Sequence, residues 1–346
     1  MTYKISVIIP AYNAKKTIER CIDSVINQTF GFENIELLIC DDKSTDNTRE
    51  IIKKYAEKYK NIKPIFLKEN SGQTGYVRGL GVENATSPYI MFLDSDDEYE
   101  KDICEVLYNS IQSNDVDYVQ CNFKIITDEK NIKYNDESNF PTYPFIPEEY
   151  PRAYTQSMVW DKIYKTEIAK DKSLKLYKSY KPDDGLFNIE FLIHSNSKIL
   201  ILKDYYGYNY YIYDDSLTKK IPERDIVKYP KGLMKLSDLL IEKQIDHNIY
   251  NLIINTLYYY ILFNLTITTN LNKNDYNKEI DNAYKTKIYL PIKIVPTMKW
   301  TNILNKLVIK KRHNLIRYYC KIIHSLSQSR FLLKIYRTKI NKFNKN

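Results

Sequence analysis

Between residues 87 and 100 the chain reads SPYIMFLDSDDEYE, a short apolar run that ends in Asp94, Asp96, Asp97, Glu98 and Glu100. Carboxylates held this close repel and shift one another's pKa values, so unless water screens them they call for a cation. Asp94 and Asp96 flank the small Ser95, which lets the backbone bend and turn both carboxylates to one side. Mg2+ or Mn2+ takes such oxygen ligands in near-octahedral geometry and commonly shares them with phosphates. The expected cation therefore implies a phosphate-bearing ligand. Asp-x-Asp is short and common, and a solvated acidic turn would account for it as well.

Other strand ends add to the picture. Asp42 follows the apolar run IELLIC and stands where a carboxylate can accept the N–H of a base. Pro10 to Asn13 close the run ISVIIP and offer backbone groups, and Tyr12 supplies an aromatic surface against the same ring. Together they outline a nucleotide. The stretch ENSGQTGYVRGLG gathers Gly72, Gly75, Gly79 and Gly81 around Arg78, half of the chain's 8 glycines. A helix start with a cation suits a pyrophosphate. The Walker lysine pattern is absent.

Elements that position these residues follow from periodicity. ISVIIP, IELLIC, IKPIFLK and YIMFLD read as strands, and TIERCIDSVINQ, STDNTREIIKKYAEKYK and TGYVRGLGVENA as the helices between them. Such alternation predicts an α/β fold with a mostly parallel, Rossmann-like sheet covered on both faces, its ligands at the carboxyl ends of the strands. Residues 1–125 would bind the nucleotide. Beyond them a polar, proline-punctuated stretch leads to MVWDKIYKTEIA, YKPDDGLFNIEFLIHS and SKILILKDYYGYNYYIYDDSLTK, read as a helix-rich insert on the acceptor side over 126–220. From 221 to 346 the apolar spacing is helical.

The segments SVIIPAYNAKKTIERCIDSVINQTF, ELLICDDKSTDNT and NSGQTGYVRGLGVENATSPYIMFLDSDD resemble the N-terminal half of family 2 glycosyltransferases with the GT-A fold, of the bacterial surface-polysaccharide type. The resemblance runs closely over residues 4–105 and more loosely to about 220. It implies a nucleotide-sugar donor, usually a UDP-sugar, a divalent metal (Mn2+ or Mg2+) at the Asp-x-Asp, and inversion at the anomeric carbon. By that resemblance Pro10, Ala11 and Tyr12 border the base, Asp42 holds the uracil and Arg78 lies near the diphosphate. Asp94, with Ser95 beside it, approaches the ribose or the metal, and Asp96 is the direct metal ligand. Gly79 stands where the family commonly has asparagine, which would either open space for a bulkier donor group or reshape the turn.

Inverting transfer needs a base for the acceptor hydroxyl. YKPDDGLFNIEF resembles the segment that supplies it, with Asp184 expected as the base and Asp183 beside it. Helix capping by the same pair would equally place two aspartates there. Trp160 would either wall the acceptor site or fill the core. Three other classes fit part of the pattern. Haloacid-dehalogenase phosphatases also begin on Asp-x-Asp, but at the end of the first strand. A nucleotidyltransferase grips a nucleotide with acidic metal ligands and releases pyrophosphate. A non-catalytic glycan-binding module would need no Asp184.

Composition limits where the protein acts. With 43% hydrophobic and 27% charged residues the chain is globular. Five cysteines with no CxxC pair fit a reducing compartment, and the first apolar run is too short for a signal peptide, so a cytoplasmic location is expected. The uncharged window from Asn248 to Asn272 is rich in Asn, Tyr and Thr and reads as a buried or interfacial helix, not a span. The net charge of +9 is uneven: after Asp281 there are 16 Lys and Arg and no acidic residue. Interleaved with apolar residues and lacking a nucleic-acid motif, residues 282–346 are expected on the anionic inner face of the cell membrane, near a glycan or lipid-linked acceptor. Trp300, Leu304, Leu307, Ile316, Tyr319 and Ile323 would insert from one helical face. Packing on the catalytic half, or an oligomer interface, would use the same charge.

Overall fold

The computed structural model describes residues 3–127, 131–134, 140–172, 174–195, 198–212, 225, 228–267, 274–278, 280–281, 303–304, 306–307, 310 and 312–328. The chain divides into two compact units, Met1–Asp214 and Asp215–Asn346.

The first unit opens with strand–helix repeats. Every residue of β1 (Ile5–Ala11) and β2 (Ile35–Asp41) is buried, as strands covered on both faces require. With β3 (Ile62–Phe66) and β4 (Tyr89–Phe92) they form the parallel order β3-β2-β1-β4. Between them run α1 (Ile18–Ile26), α2 (Thr48–Lys58) and α3 (Thr74–Asn84). In α1 the buried Ile18, Cys21, Ile22 and Val25 recur at helical spacing. Ala11 pairs with Asp41 and Ile8 with Phe92, so β1, β2 and β4 deliver their carboxyl ends to one edge.

Beyond β4 the sheet turns mixed. After β5 (Glu98–Tyr99) and α4 (Ile103–Asn114), β6 (Tyr118–Ile126) carries β7 (Asn131–Tyr134) on its far half. The antiparallel β8 (Lys162–Lys165) joins β4 to β6, and β9 (Ile199–Tyr211) lies parallel to β6. The insert expected over 126–220 as helix-rich thus also carries three strands among its described residues. Its helices are α5 (Thr166–Ala169) and α6 (Asp183–His194), while KIYK and ILILKDYYGYNYY pair into the sheet, where β-branched and aromatic side chains pack on a pleated surface. The far end of β9 returns to the acidic turn, pairing Asn209 with Glu98.

The second unit contains α7 (Lys228–Glu242), α8 (His247–Ile267) and α9 (His313–Gln328). Leu236 and Leu240 of α7 and Ile253, Ile254 and Leu262 of α8 are buried, and Ser237 bonds Tyr250 at 2.6 Å. No helix among the described residues is long and apolar enough to cross a membrane. The expected membrane-facing set is corrected here. Leu304 and Ile316 are fully buried, Ile316 and Cys320 forming the inward face of α9 at i and i+4. Trp300 and the side chain of Ile323 lie outside the described residues. All five cysteines are buried free thiols.

Candidate active site

The acidic turn after β4 is held from two sides. Three successive backbone carbonyls are bound by α1 and its leading residue: the Cys21 thiol donates to Asp94 O (3.4 Å), the Thr17 hydroxyl to Ser95 O (2.8 Å) and Arg20 Nη2 to Asp96 O (2.5 Å). Spacings of three and four residues put these groups on one helical face. From the other side β9 grips the buried Asp97, which accepts the Tyr208 hydroxyl (2.7 Å) and the Tyr211 amide (2.8 Å). The Arg20 guanidinium lies 3.7 Å over the Tyr211 ring, closing the ring of contacts. With carbonyls and Asp97 occupied, the turn keeps Asp94 and Asp96 at the sheet edge. Burial, and after it the neighbouring Asp94, pushes the Asp96 carboxyl up to about 6 against the pull of Arg20 and Arg78. Oxygen-only donors of this kind fit Mg2+ or Mn2+ with remaining positions left to phosphate and water. Among the described residues no third His, Cys, Asp or Glu completes a protein-only metal cluster.

Arg78, buried in α3, joins this turn to the candidate base. Its Nη2 donates to Asp94 Oδ1 at 2.5 Å and its Nη1 to Asp184 Oδ1. Among the described residues its buried Nε has no hydrogen-bond partner. Asp184 lies in the first turn of α6 beside Asp183, whose carboxylate accepts Lys181 Nζ at 2.9 Å. Neither aspartate is the N-cap, a position held by Pro182. Burial, with Asp183 and Asp94 nearby, raises the Asp184 carboxyl to about 7 against the opposing pull of Arg78. Asp183 is also desolvated, yet Lys181 and Arg78 hold it below the usual range. A pair of adjacent carboxyls split in this way suits one as a base near neutrality. A cavity of about 10 Å³, the size of one water, is lined by Arg78, Tyr177, Asp183 and Asp184.

The nucleotide-side residues occupy the neighbouring strand ends. Pro10 and Ala11 finish β1 and are buried, while Tyr12 is 45% exposed. Asp42 is buried; its carboxylate accepts the amides of Ser71 (2.7 Å) and Gly72 (3.0 Å), tying the β2 end to the loop before α3. Gly72 takes φ +61°, which suits the residue without a Cβ. Gly75 serves packing: a Cβ there would run into the Tyr177 carbonyl. At Gly79 a Cβ would meet Lys178 Cε at 2.8 Å, so this position makes room for the lysine stem. Trp160 is core, stacked on Tyr208 (4.1 Å) and Tyr210 (5.7 Å).

Arg78 thus joins Asp94 to Asp184, with Asp96 two residues from Asp94, and Pro10 to Tyr12 and Asp42 stand at the ends of β1 and β2 on the same edge of the sheet. The sequence reading missed Thr17, Arg20, Tyr208 and Tyr211; only the i, i+3, i+4 spacing of Thr17, Arg20 and Cys21 was there to find.

Against known proteins, residues 6–175 match the family described as Glycosyl transferase family 2. Those residues are a glycosyl transferase family 2 domain. The match contains Asp42, Arg78, Asp94 and Asp96 and ends before Asp184. The chain is 27% identical over 302 residues to the cholesterol galactosyltransferase of Borreliella burgdorferi, covering 83% of this chain and 81% of that protein. It is 33% identical over 217 residues to the poly(ribitol-phosphate) beta-N-acetylglucosaminyltransferase TarP of Staphylococcus aureus, covering 60% of this chain and 62% of TarP, less than two thirds of its length. The fold is that of S. aureus TarS 1–349 in complex with UDP-GlcNAc, with a TM-score of 0.75, 21% identity and coverage of 93% and 92%. The expected GT-A architecture is therefore the one found.

Proposed function

We propose that this family 2 domain is an inverting, metal-assisted glycosyltransferase that moves a sugar from a nucleotide donor, a UDP-sugar, to a hydroxyl of a glycan or lipid-linked acceptor during synthesis of a cell-surface polymer such as capsule, lipopolysaccharide or wall polymer. One observation carries the reading: a single guanidinium, Arg78, links the carboxylate of the Asp-x-Asp turn to the carboxylate of Asp184. The activities for which the relatives are named, on cholesterol and on poly(ribitol-phosphate), support a surface acceptor, and the TarS complex supports a uridine donor.

In this scheme Pro10, Ala11, Tyr12 and Asp42 border the uracil, and Arg78, Asp94 and Ser95 face the ribose and diphosphate. Asp96, with Asp94, would hold Mg2+ or Mn2+, which supplies positive charge to the leaving diphosphate. Asp184 takes the proton of the acceptor hydroxyl as its oxygen forms the new bond to the anomeric carbon from the face opposite the donor phosphate. The sugar–phosphate bond breaks and its electron pair leaves on the nucleoside diphosphate. Burial that disfavours an ionised Asp184 favours the protonated form it reaches in this step. We also assign the basic segment 282–346 to the anionic inner face of the cell membrane, where lipid-linked acceptors are presented. Its 16 Lys and Arg without an acid support this, each worth about 1 kcal/mol at such a surface.

A screen of sugar nucleotides for donor hydrolysis, with and without Mn2+ or Mg2+, tests the reading. Release of the nucleoside diphosphate that stops on chelation is expected. Asp96→Ala should lose metal-dependent nucleotide binding, and Asp184→Asn should keep it while transfer falls about 100-fold or more. Release of pyrophosphate would indicate a nucleotidyltransferase, and equal loss of binding in both variants would make Asp184 structural.

A further inference from the structure

Helix α9 has two apolar faces and buries one. Ile316 and Cys320 point inward, and His313 pairs with Asp281 at 2.9 Å. On the other face Leu315, Tyr318 and Ile322 are 52%, 67% and 37% exposed, and Ile303 upstream is 48% exposed. Their spacing, i, i+3 and i+7, aligns them in one stripe. Exposed Arg312 and Lys321 flank it, Lys306 and Lys310 precede it, and no acidic residue occurs anywhere after Asp281. An apolar stripe with basic flanks and an interfacial tyrosine matches an anionic bilayer, whose headgroups take the cations while the acyl boundary takes the stripe. A polyanion such as RNA would use the lysines and arginines and leave Leu315 and Ile322 in water.

We infer that the outward face of α9, built from Leu315, Tyr318 and Ile322, is the element that inserts into the surface of an anionic membrane. This rests on the membrane placement of segment 282–346 proposed above and stands in place of Leu304 and Ile316, which are buried. Charge alone gives binding that salt abolishes; an inserted stripe adds a component that salt leaves intact.

The test uses the full chain in sedimentation with vesicles rich in phosphatidylglycerol, with pure phosphatidylcholine vesicles as control. The variant Leu315→Ser/Tyr318→Ser/Ile322→Ser should partition about tenfold more weakly and lose the salt-resistant fraction, while retaining heparin binding and donor hydrolysis. A second, milder variant, Tyr318→Trp made together with Trp300→Phe, should show blue-shifted emission on anionic vesicles and quenching by brominated acyl chains. If the emission of the Tyr318→Trp variant is unchanged while salt-sensitive sedimentation persists, the basic segment docks by charge alone and this inference falls, though the membrane placement stands. If neither wild type nor variant sediments, both fall together. If the triple variant dissociates a dimer and partitions like wild type, the stripe is a contact between copies and the inference is overturned. Equal losses of heparin and vesicle binding would identify a general polyanion site and overturn it as well.

Discussion

Replacing Arg78 by methionine keeps the buried stem and removes the charge that Asp94 and Asp184 share. Breaking a buried pair by removing one partner costs about 3–5 kcal/mol. The carboxylates are 25% and 29% exposed, so water recovers part of this and a net loss of about 2–3 kcal/mol is expected. For a domain of this size that lowers Tm by about 5–10 °C. The more specific effect is on titration. Arg78 favours the ionised form of Asp184, whose carboxyl stands at about 7 in its presence. Without it the carboxyl rises, and each unit corresponds to about 1.4 kcal/mol of lost interaction, so a shift of about one unit or more is expected. A base works deprotonated, so the ascending limb of kcat/KM against pH should move to higher pH, with activity partly recovered above about pH 8. The assay is donor turnover with acceptor across pH, with Tm measured alongside. In a double-mutant cycle, Arg78→Met and Asp184→Asn should cost less together than the sum of each alone. A variant of undiminished stability, or one whose kcat/KM falls with the pH limb unmoved, would show that Arg78 acts on the donor alone and refute the coupling.

Other expectations concern the scaffold. Gly75→Ala should destabilise by about 2 kcal/mol or more, because its Cβ meets a backbone carbonyl that cannot move aside, whereas Gly79→Ala should be neutral or stabilising by up to about 1 kcal/mol, since it displaces only a flexible lysine stem and improves helix propensity; paired thermal melts decide. Asp97→Asn keeps the shape but leaves one acceptor oxygen where the carboxylate takes both the Tyr208 hydroxyl and the Tyr211 amide, at a cost of about 1–3 kcal/mol. Nucleotide titrations at fixed metal should then show weaker binding, with the loss exceeding that of Tyr205→Phe, which removes a hydroxyl bonded to Asp102 outside the turn.

How much of this could be read in advance depended on where each interaction's partners lie along the chain. Asp94, Asp96, Arg78 and Asp184 stood out through the resemblance of their motifs, since the residue types alone fit a solvated acidic turn and a helix cap as well; that Arg78 joins Asp94 to Asp184 is visible only in the fold. The strands KIYK and ILILKDYYGYNYY did not stand out, since Lys and Asp interrupt their alternation and only pairing with β4 and β6 selects strand over helix. Gly75 meets the carbonyl of Tyr177, far along the chain, so its purpose could not be told from that of a phosphate-binding glycine.

The grip on the acidic turn was hidden for the same reason, and its construction explains why the turn is built from so many carboxylates. Asp97 reaches residues 208 and 211, more than a hundred positions away, and Glu98 accepts the Tyr211 hydroxyl at 2.8 Å. These two acids are anchors to β9, and the burial that raises the Asp97 carboxyl well above its usual range is tolerated because a hydroxyl and an amide satisfy it. Asp94 instead accepts Arg78 at 2.5 Å, with Asp96 two residues on. The cluster therefore divides by partner: the consecutive Asp97 and Glu98 hold β9, while Asp94 takes Arg78 of α3. A motif scan sees five acids in seven positions and assigns one role to all, while the fold gives neighbouring residues opposite tasks.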